Sequence, residues 1–123
     1  MSYHLVNGMF KMPDDPDVPI LMVSTGSGIA PFRSFWQRRK LLDLPRSLAW
    51  LYHGCRNRSE NFFQDEASEV VQHFVAMSRV GNKKQYVQDL LWRDRTLVYD
   101  VIVNRKAHIY LCGKVISTYL LFI

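Results

Sequence analysis

Residues 20–36 read Ile-Leu-Met-Val-Ser-Thr-Gly-Ser-Gly-Ile-Ala-Pro-Phe-Arg-Ser-Phe-Trp. Ile20 to Val23 is an apolar run of strand type. Phe32 to Leu42 has helical spacing, with Phe32, Phe35 and Trp36 on one face to pack against a sheet. Between the two lies a Gly-x-Gly turn, Gly26-Ser27-Gly28. A strand that ends in such a turn and opens a helix aims backbone N–H groups outward, and the helix start adds about half a positive charge. Gly26 and Gly28 can take positive φ and carry no Cβ to obstruct a ligand. Ser27 adds a hydroxyl, and Pro31 suits a first helical turn, where its missing N–H would be unpaired anyway. Two readings stand, a phosphate-binding turn and an ordinary strand–helix corner. The strand-then-helix context favours the first.

Outward from this turn, strand and helix patterns alternate. Val6 to Pro19 is a turn-rich connector with Pro13, Pro16 and Pro19. Leu48 to His53 predicts a second strand ending at Gly54, and Asn61 to His73 a helix with acids early, as the helix dipole prefers. Phe74 to Met77 predicts a third strand and Tyr86 to Trp92 another helix. Thr96 is positioned to cap a helix through Leu97 to Val103, and His108 to Cys112 predicts a fourth strand. The fold class that follows is α/β, a doubly wound and mainly parallel sheet with right-handed crossovers. Near-continuous apolar strands agree, because such strands are covered on both faces. Ligands bind beyond the carboxyl ends of strands in this architecture. The four strand tips, Ser24 to Arg33, Gly54-Cys55-Arg56, Ser78-Arg79 and Cys112-Gly113, are therefore expected to line one crevice.

Composition narrows the partners. A chain of 123 residues is by default one domain, and 48% hydrophobic residues suffice for one core. The 16 basic against 11 acidic residues give a net charge of +5, which suits an anionic partner or a solvated basic surface. The basic residues fall in scattered groups (Arg38-Arg39-Lys40, Arg56 with Arg58, Lys83-Lys84) and form no known nucleic-acid motif. A small polyanionic cofactor fits that scatter better than a duplex. Cys55 and Cys112 give neither a disulfide framework nor metal spacing, and no metal is expected. Met1 to Met12 lacks a signal-peptide pattern, and Val115 to Ile123 is far shorter than the roughly 20 residues of a membrane helix. A soluble, reducing, cytoplasmic setting with no transmembrane segment is the expectation.

Residues 18–36 resemble the NADPH-binding domain of the diflavin reductases, which include cytochrome P450 reductase and the reductase half of nitric oxide synthase. Further blocks follow in the family's order: Gly54 to Arg56, Phe74 to Arg79, Tyr86 to Leu91, and His108 to Gly113. The phrases Phe-Arg-Ser-Phe-Trp-Gln and Tyr-Val-Gln-Asp-Leu are most similar to nitric oxide synthase. The resemblance implies a Rossmann-like fold of the ferredoxin-reductase NADP-binding type. It also implies three segments: 1–17 as the tail of an FAD-binding domain with a connector, 18–115 as the NADPH-binding domain, and 116–123 as a divergent tail. Gly26, Ser27 and Gly28 match the turn that holds the pyrophosphate, with Arg33 beside it. Ser78, Arg79, Lys84, Tyr86 and Gln88 match residues that bind the 2′-phosphate, with Gln85 and Val87 in the same stretch. A guanidinium can take two phosphate oxygens at once, whereas an ammonium is a point charge. Arg56 is either a further phosphate ligand or a rim charge. Cys112 matches the catalytic cysteine near the nicotinamide; the alternative is a buried small hydrophobe.

The match has departures. Ser24-Thr25 replaces the family's usual Gly-Pro, Lys114 stands where an acid is usual, and the resemblance stops after Val115. The domain is therefore expected to be C-terminally incomplete. The implied function is the NADPH-binding portion of an oxidoreductase that passes a hydride to FAD and electrons to FMN and haem. The FAD and FMN sites are expected elsewhere in the parent enzyme, whose partners by resemblance include calmodulin and a haem oxygenase domain. The chain alone is expected to be inactive. The alternatives are an inactive binding or regulatory module and, on charge alone, a nucleic-acid-binding domain.

Overall fold

The computed structural model describes residues 3–5, 11–82 and 84–113. The connector residues 6–10, Lys83, Lys114 and the tail 115–123 lie outside the described residues. Among the described residues five strands form one sheet: β1 (Tyr3–Leu5), β2 (Ile20–Thr25), β3 (Ala49–Cys55), β4 (Gln72–Met77) and β5 (His108–Cys112). Their order is β1-β5-β2-β3-β4, and every pair is parallel. The helices are α1 (Ala30–Leu41), α2 (Gln64–Ser68), α3 (Val87–Arg93) and α4 (Arg95–Tyr99). The expected α/β, doubly wound parallel sheet is the fold observed.

The period-two alternation of the strands divides the core into two layers. Ile20 and Met22 of β2 and Leu51 of β3 pack with Phe32, Phe35 and Trp36 of α1 and Ala67 of α2. Leu21 and Val23 of β2 and Tyr52 of β3 pack with Leu90 and Leu91 of α3 and Val98 of α4. β2 and β3 are buried along almost their whole length, as a parallel strand covered on both faces must be.

Glu66 ties α1 to α2. It accepts bonds from Arg33 (2.9 and 3.1 Å), from Trp36 Nε1 (2.9 Å) and from Gln37 (3.3 Å). The Arg33 hydrogen bond, followed by that of Trp36, brings the Glu66 carboxyl down to about 2. On the opposite layer the Tyr52 hydroxyl donates to Asp94 Oδ2 at 2.8 Å, and its ring stacks on Phe74. Burial, reinforced by the Asp94 bond, keeps that phenol protonated well beyond its ordinary range. Tyr52→Phe removes this one bond and leaves Asp94 paired with Arg93. The variant should lose about 1 kcal/mol, read as a lower urea midpoint with an unchanged slope.

Several sequence expectations shift. The helix expected over Asn61 to His73 shrinks to α2, preceded by a 3-10 turn at Arg58–Glu60. Phe63 takes φ +64 and breaks the helix at its start, and the chain enters β4 at Gln72, paired with Trp50. Thr96 is not a cap: it lies inside α4, and Asp94 occupies the N-cap position. Beyond α4 the chain continues as a π-helical turn over Asp100–Asn104. Arg39, grouped by sequence with exposed cations, is buried and donates to the carbonyl of Pro45 at 3.0 Å. β1 was not anticipated. It joins the sheet edge beside β5, with Tyr3 opposite Ile109.

Candidate functional site

The strand–turn–helix at the centre of the sheet forms as the sequence suggests. β2 ends at Thr25, and residues Gly26–Ile29 make a 3-10 turn that runs directly into α1. No side chain caps this helical start, and its first turns hold no acidic residue, so its leading N–H groups remain free of side-chain acceptors. Such a start is suited to an anion.

The two glycines serve different purposes. Gly26 has φ +56, with open space where a Cβ would point. Gly28 does not use positive φ. A Cβ there would lie 2.6 Å from the carbonyl oxygen of Cys112 and 3.2 Å from its Sγ. Gly28 is thus the close-packing point of the turn against the end of β5.

A cleft of about 710 Å3 opens over the tips of β2, β3 and β4. Gly26 and Ser27 form one wall and Ser78, at the end of β4, another. Gln85, Tyr86, Val87 and Gln88 cover it from the start of α3. Arg56 also lines it. This loop reaches over β3 because Gly54 is there: a Cβ on Gly54 would lie 3.3 Å from Val87 Cβ. The Asp89 carboxylate accepts from the Tyr86 N–H at 2.8 Å and anchors the loop to α3, leaving Tyr86 exposed on the rim.

Eight of the candidate residues named from sequence therefore meet around one space. Gly28, Arg33, Lys84, Arg79 and Cys112 are not among its walls. Arg33 points to α2: its guanidinium is bonded to Glu66 and lies 4.5 Å from the centre of the Phe63 ring. Arg79 stands exposed beside the cleft, its N–H donating to the carbonyl of Arg56 at 2.8 Å, just as Ser78 donates to Cys55 at 2.9 Å. Lys84 is exposed. The expectation of one crevice shared by four strand tips needs correction, since the tip of β5 does not contribute. The Cys112 carbonyl and thiol lie against Gly28 instead. Burial pushes the Cys112 thiol up, so it is the neutral thiol at neutral pH.

Five lining residues lie outside the candidate ligands: Thr25, Gly54 and Cys55, which belong to the strand tips expected to line the crevice, and Glu60 and Phe62, which no expectation included. Glu60 is the most consequential, because both of its oxygens receive the Arg56 guanidinium. The spacing Arg56-x-x-x-Glu60 was the available signal. Behind the cleft wall, Ser24 and His53 sit opposite each other on β2 and β3, with Oγ and Nδ1 2.8 Å apart and both residues fully buried. Among the described residues no helix is long and apolar enough to cross a membrane.

Comparisons with known proteins agree with this architecture. The chain is 39% identical over 118 residues to a nitric oxide synthase of Anopheles stephensi, an alignment covering 86% of this chain and 10% of the relative. It is 42% identical over 113 residues to an NADPH–cytochrome P450 reductase of Drosophila melanogaster, covering 85% and 17%. It is 40% identical over 113 residues to NADPH oxidoreductase A of Dictyostelium discoideum, covering 87% and 18%. The chain thus corresponds to a small part of each of these relatives. Residues 22–117 match the oxidoreductase NAD-binding domain family, from the middle of β2 past the end of β5. With its parallel sheet and uncapped Gly-x-Gly turn, the chain belongs to the oxidoreductase NAD-binding domain family.

Proposed function

We propose that this chain is the NADPH-binding portion of a flavin-dependent oxidoreductase of the nitric oxide synthase or cytochrome P450 reductase type. The observation that carries the reading is the cleft itself. Residues from four separate stretches converge on an uncapped helical start that bears an open, positive-φ glycine. A phosphate suits that combination, because free backbone N–H groups and nearby guanidinium groups both bind its oxygens.

In this reading the Gly26-Ser27-Gly28 turn holds the pyrophosphate. Ser78, Arg79 and Lys84 bind the 2′-phosphate, and the exposed Tyr86 ring stacks on adenine with Gln85, Val87 and Gln88 beside it. Arg33, bonded to Glu66, acts on α1 and not as a direct ligand. The sheet order supports the layout, because β2 lies between β5, with its Cys112 thiol, and the β3–β4 side that carries Arg56 and Arg79. A dinucleotide laid along the turn would have its nicotinamide toward the Cys112 side, where a neutral thiol would offer a weak donor without adding charge. NADPH held here would supply a hydride, for which the parent enzyme would provide FAD, and beyond it FMN and haem, as acceptors outside this chain.

A 2′,5′-ADP affinity measurement tests the reading. The chain should bind 2′,5′-ADP, and Arg79→Ala should weaken that binding about 10- to 100-fold, the loss of charge-assisted bonds to a phosphate. Binding of 5′-AMP, which lacks the 2′-phosphate, should change little. Equal affinity of wild type and Arg79→Ala for 2′,5′-ADP would remove Arg79 from the site.

A further inference from the structure

We propose that Glu60 is a built-in competitor for the cofactor phosphate, a side chain that holds Arg56 and must release it when the cofactor binds. This inference rests on the NADPH reading above and adds a control to the same site.

Arg56 leaves the tip of β3 and Glu60 closes the following 3-10 turn, and both line the cleft. The pairing is two-toothed: Arg56 Nε donates to one carboxylate oxygen at 2.9 Å, and Nη2 donates to the other. Those are the donors with which a guanidinium takes two oxygens of a phosphate. A carboxylate and a phosphate cannot both hold them. Arg79, on the neighbouring strand tip, is near enough for its charge to act on the same carboxylate. The Arg56 hydrogen bond, the largest influence, holds the Glu60 carboxyl below its ordinary range, so it stays ionised at neutral pH. The cleft therefore carries a carboxylate on its Arg56 guanidinium, in the space where an anionic ligand is expected.

The pair is exchangeable. The Arg56 side chain is 57% exposed and Glu60 25%, and an ion pair so open to water contributes little to stability. A phosphate carrying up to two charges outcompetes one carboxylate, so Glu60 weakens binding without abolishing it. Glu60→Gln keeps the shape and removes the charge. It should tighten 2′,5′-ADP by about threefold to tenfold, in line with the modest strength of an exposed ion pair. The gain should disappear in an Arg56→Ala background, because the competition acts through that guanidinium.

The experiment is titration of 2′,5′-ADP into the full 123-residue chain by calorimetry. The proteins compared are wild type, Glu60→Gln, Glu60→Ala, Arg56→Ala and the Arg56→Ala/Glu60→Gln double variant. Circular dichroism confirms the fold of each, and Glu60→Ala decides the matter should Glu60→Gln misfold. Tighter binding that depends on Arg56 supports the proposal. Should wild type bind and both Glu60 variants bind equally or more weakly, Glu60 is a positioning partner of Arg56 and the proposal falls alone. Should neither wild type nor the Glu60 variants bind, the NADPH reading falls with it.

Discussion

Replacing Gly28 by alanine is expected to destabilise the fold by about 3 kcal/mol, the upper part of the range for forcing an extra carbon into a filled space. The new Cβ would lie 2.6 Å from the Cys112 carbonyl oxygen and 2.9 Å from its carbon. Both are backbone atoms, which cannot rotate away as the end of a side chain can. Nor can β5 retreat, because it is paired along its length with β2, where Ser24 lies opposite Cys112. Gly26→Ala offers the contrast. Its Cβ meets nothing, so only the cost of φ +56 remains, about 1 kcal/mol. Urea titration of the two variants checks the difference. If Gly28→Ala were as stable as wild type, the turn and β5 would have to move apart freely, and the close contact would have no energetic weight.

The second large effect is expected in acid. His53 and His73 are both brought down to about 4, chiefly by burial, with the charge of His73 adding to the effect at His53. His53 Nδ1 meets Ser24 Oγ at 2.8 Å and His73 Nδ1 meets Ser68 Oγ at 3.3 Å, while neither Nε2 has a partner among the described residues. A folded-state value below the unfolded value of about 6.5 means that the unfolded chain takes up protons first as the pH drops. Stability is then full above about pH 6.5, falls as the pH is lowered towards 4, and levels off below that. Each ring contributes a loss of about 3 kcal/mol over that window. The two together approach the whole stability of many small domains. Glu66 and Asp94 have lowered values, so their loss belongs to lower pH and is separable. Urea midpoints measured from pH 7 to pH 4.5 should fall steeply, and His73→Gln should reduce the slope by about half. A flat profile would mean that the rings are protonated in the fold without cost.

The central strand, turn and first helix were legible because three local signals coincide there: an apolar run, paired glycines and aromatic residues at helical spacing. β5 was legible to the residue for the same reason. The second helix was overextended because acids after Asn61 resemble a helix start. What shortens it is the pairing of Gln72 with Trp50, a demand of the sheet that the local sequence does not carry. The cap at Thr96 failed in the same way: Asp94, held by Tyr52 from β3, occupies that position. At the site, ligand-type residues near strand tips could be named, but which of them share a space is set by topology. Arg33 carries the charge expected of a ligand, yet α2 brings Glu66 to it. Gly28 has the expected identity, but its reason is the carbonyl of a strand far along the chain.

That strand also governs the order in which the sheet can assemble. Among the described strands β1 comes earliest in the sequence, yet its partner is β5, the latest of them. β2, β3 and β4 can pair successively as they emerge, each beside the one before. Tyr3–Leu5 has no place to dock until His108–Cys112 has settled against β2. Long-range pairing of this kind is slow, because the intervening chain must be ordered before the contact rewards it. Docking of Tyr3–Leu5 is therefore expected to follow the other described strand pairings, with one edge of β5 open until it occurs.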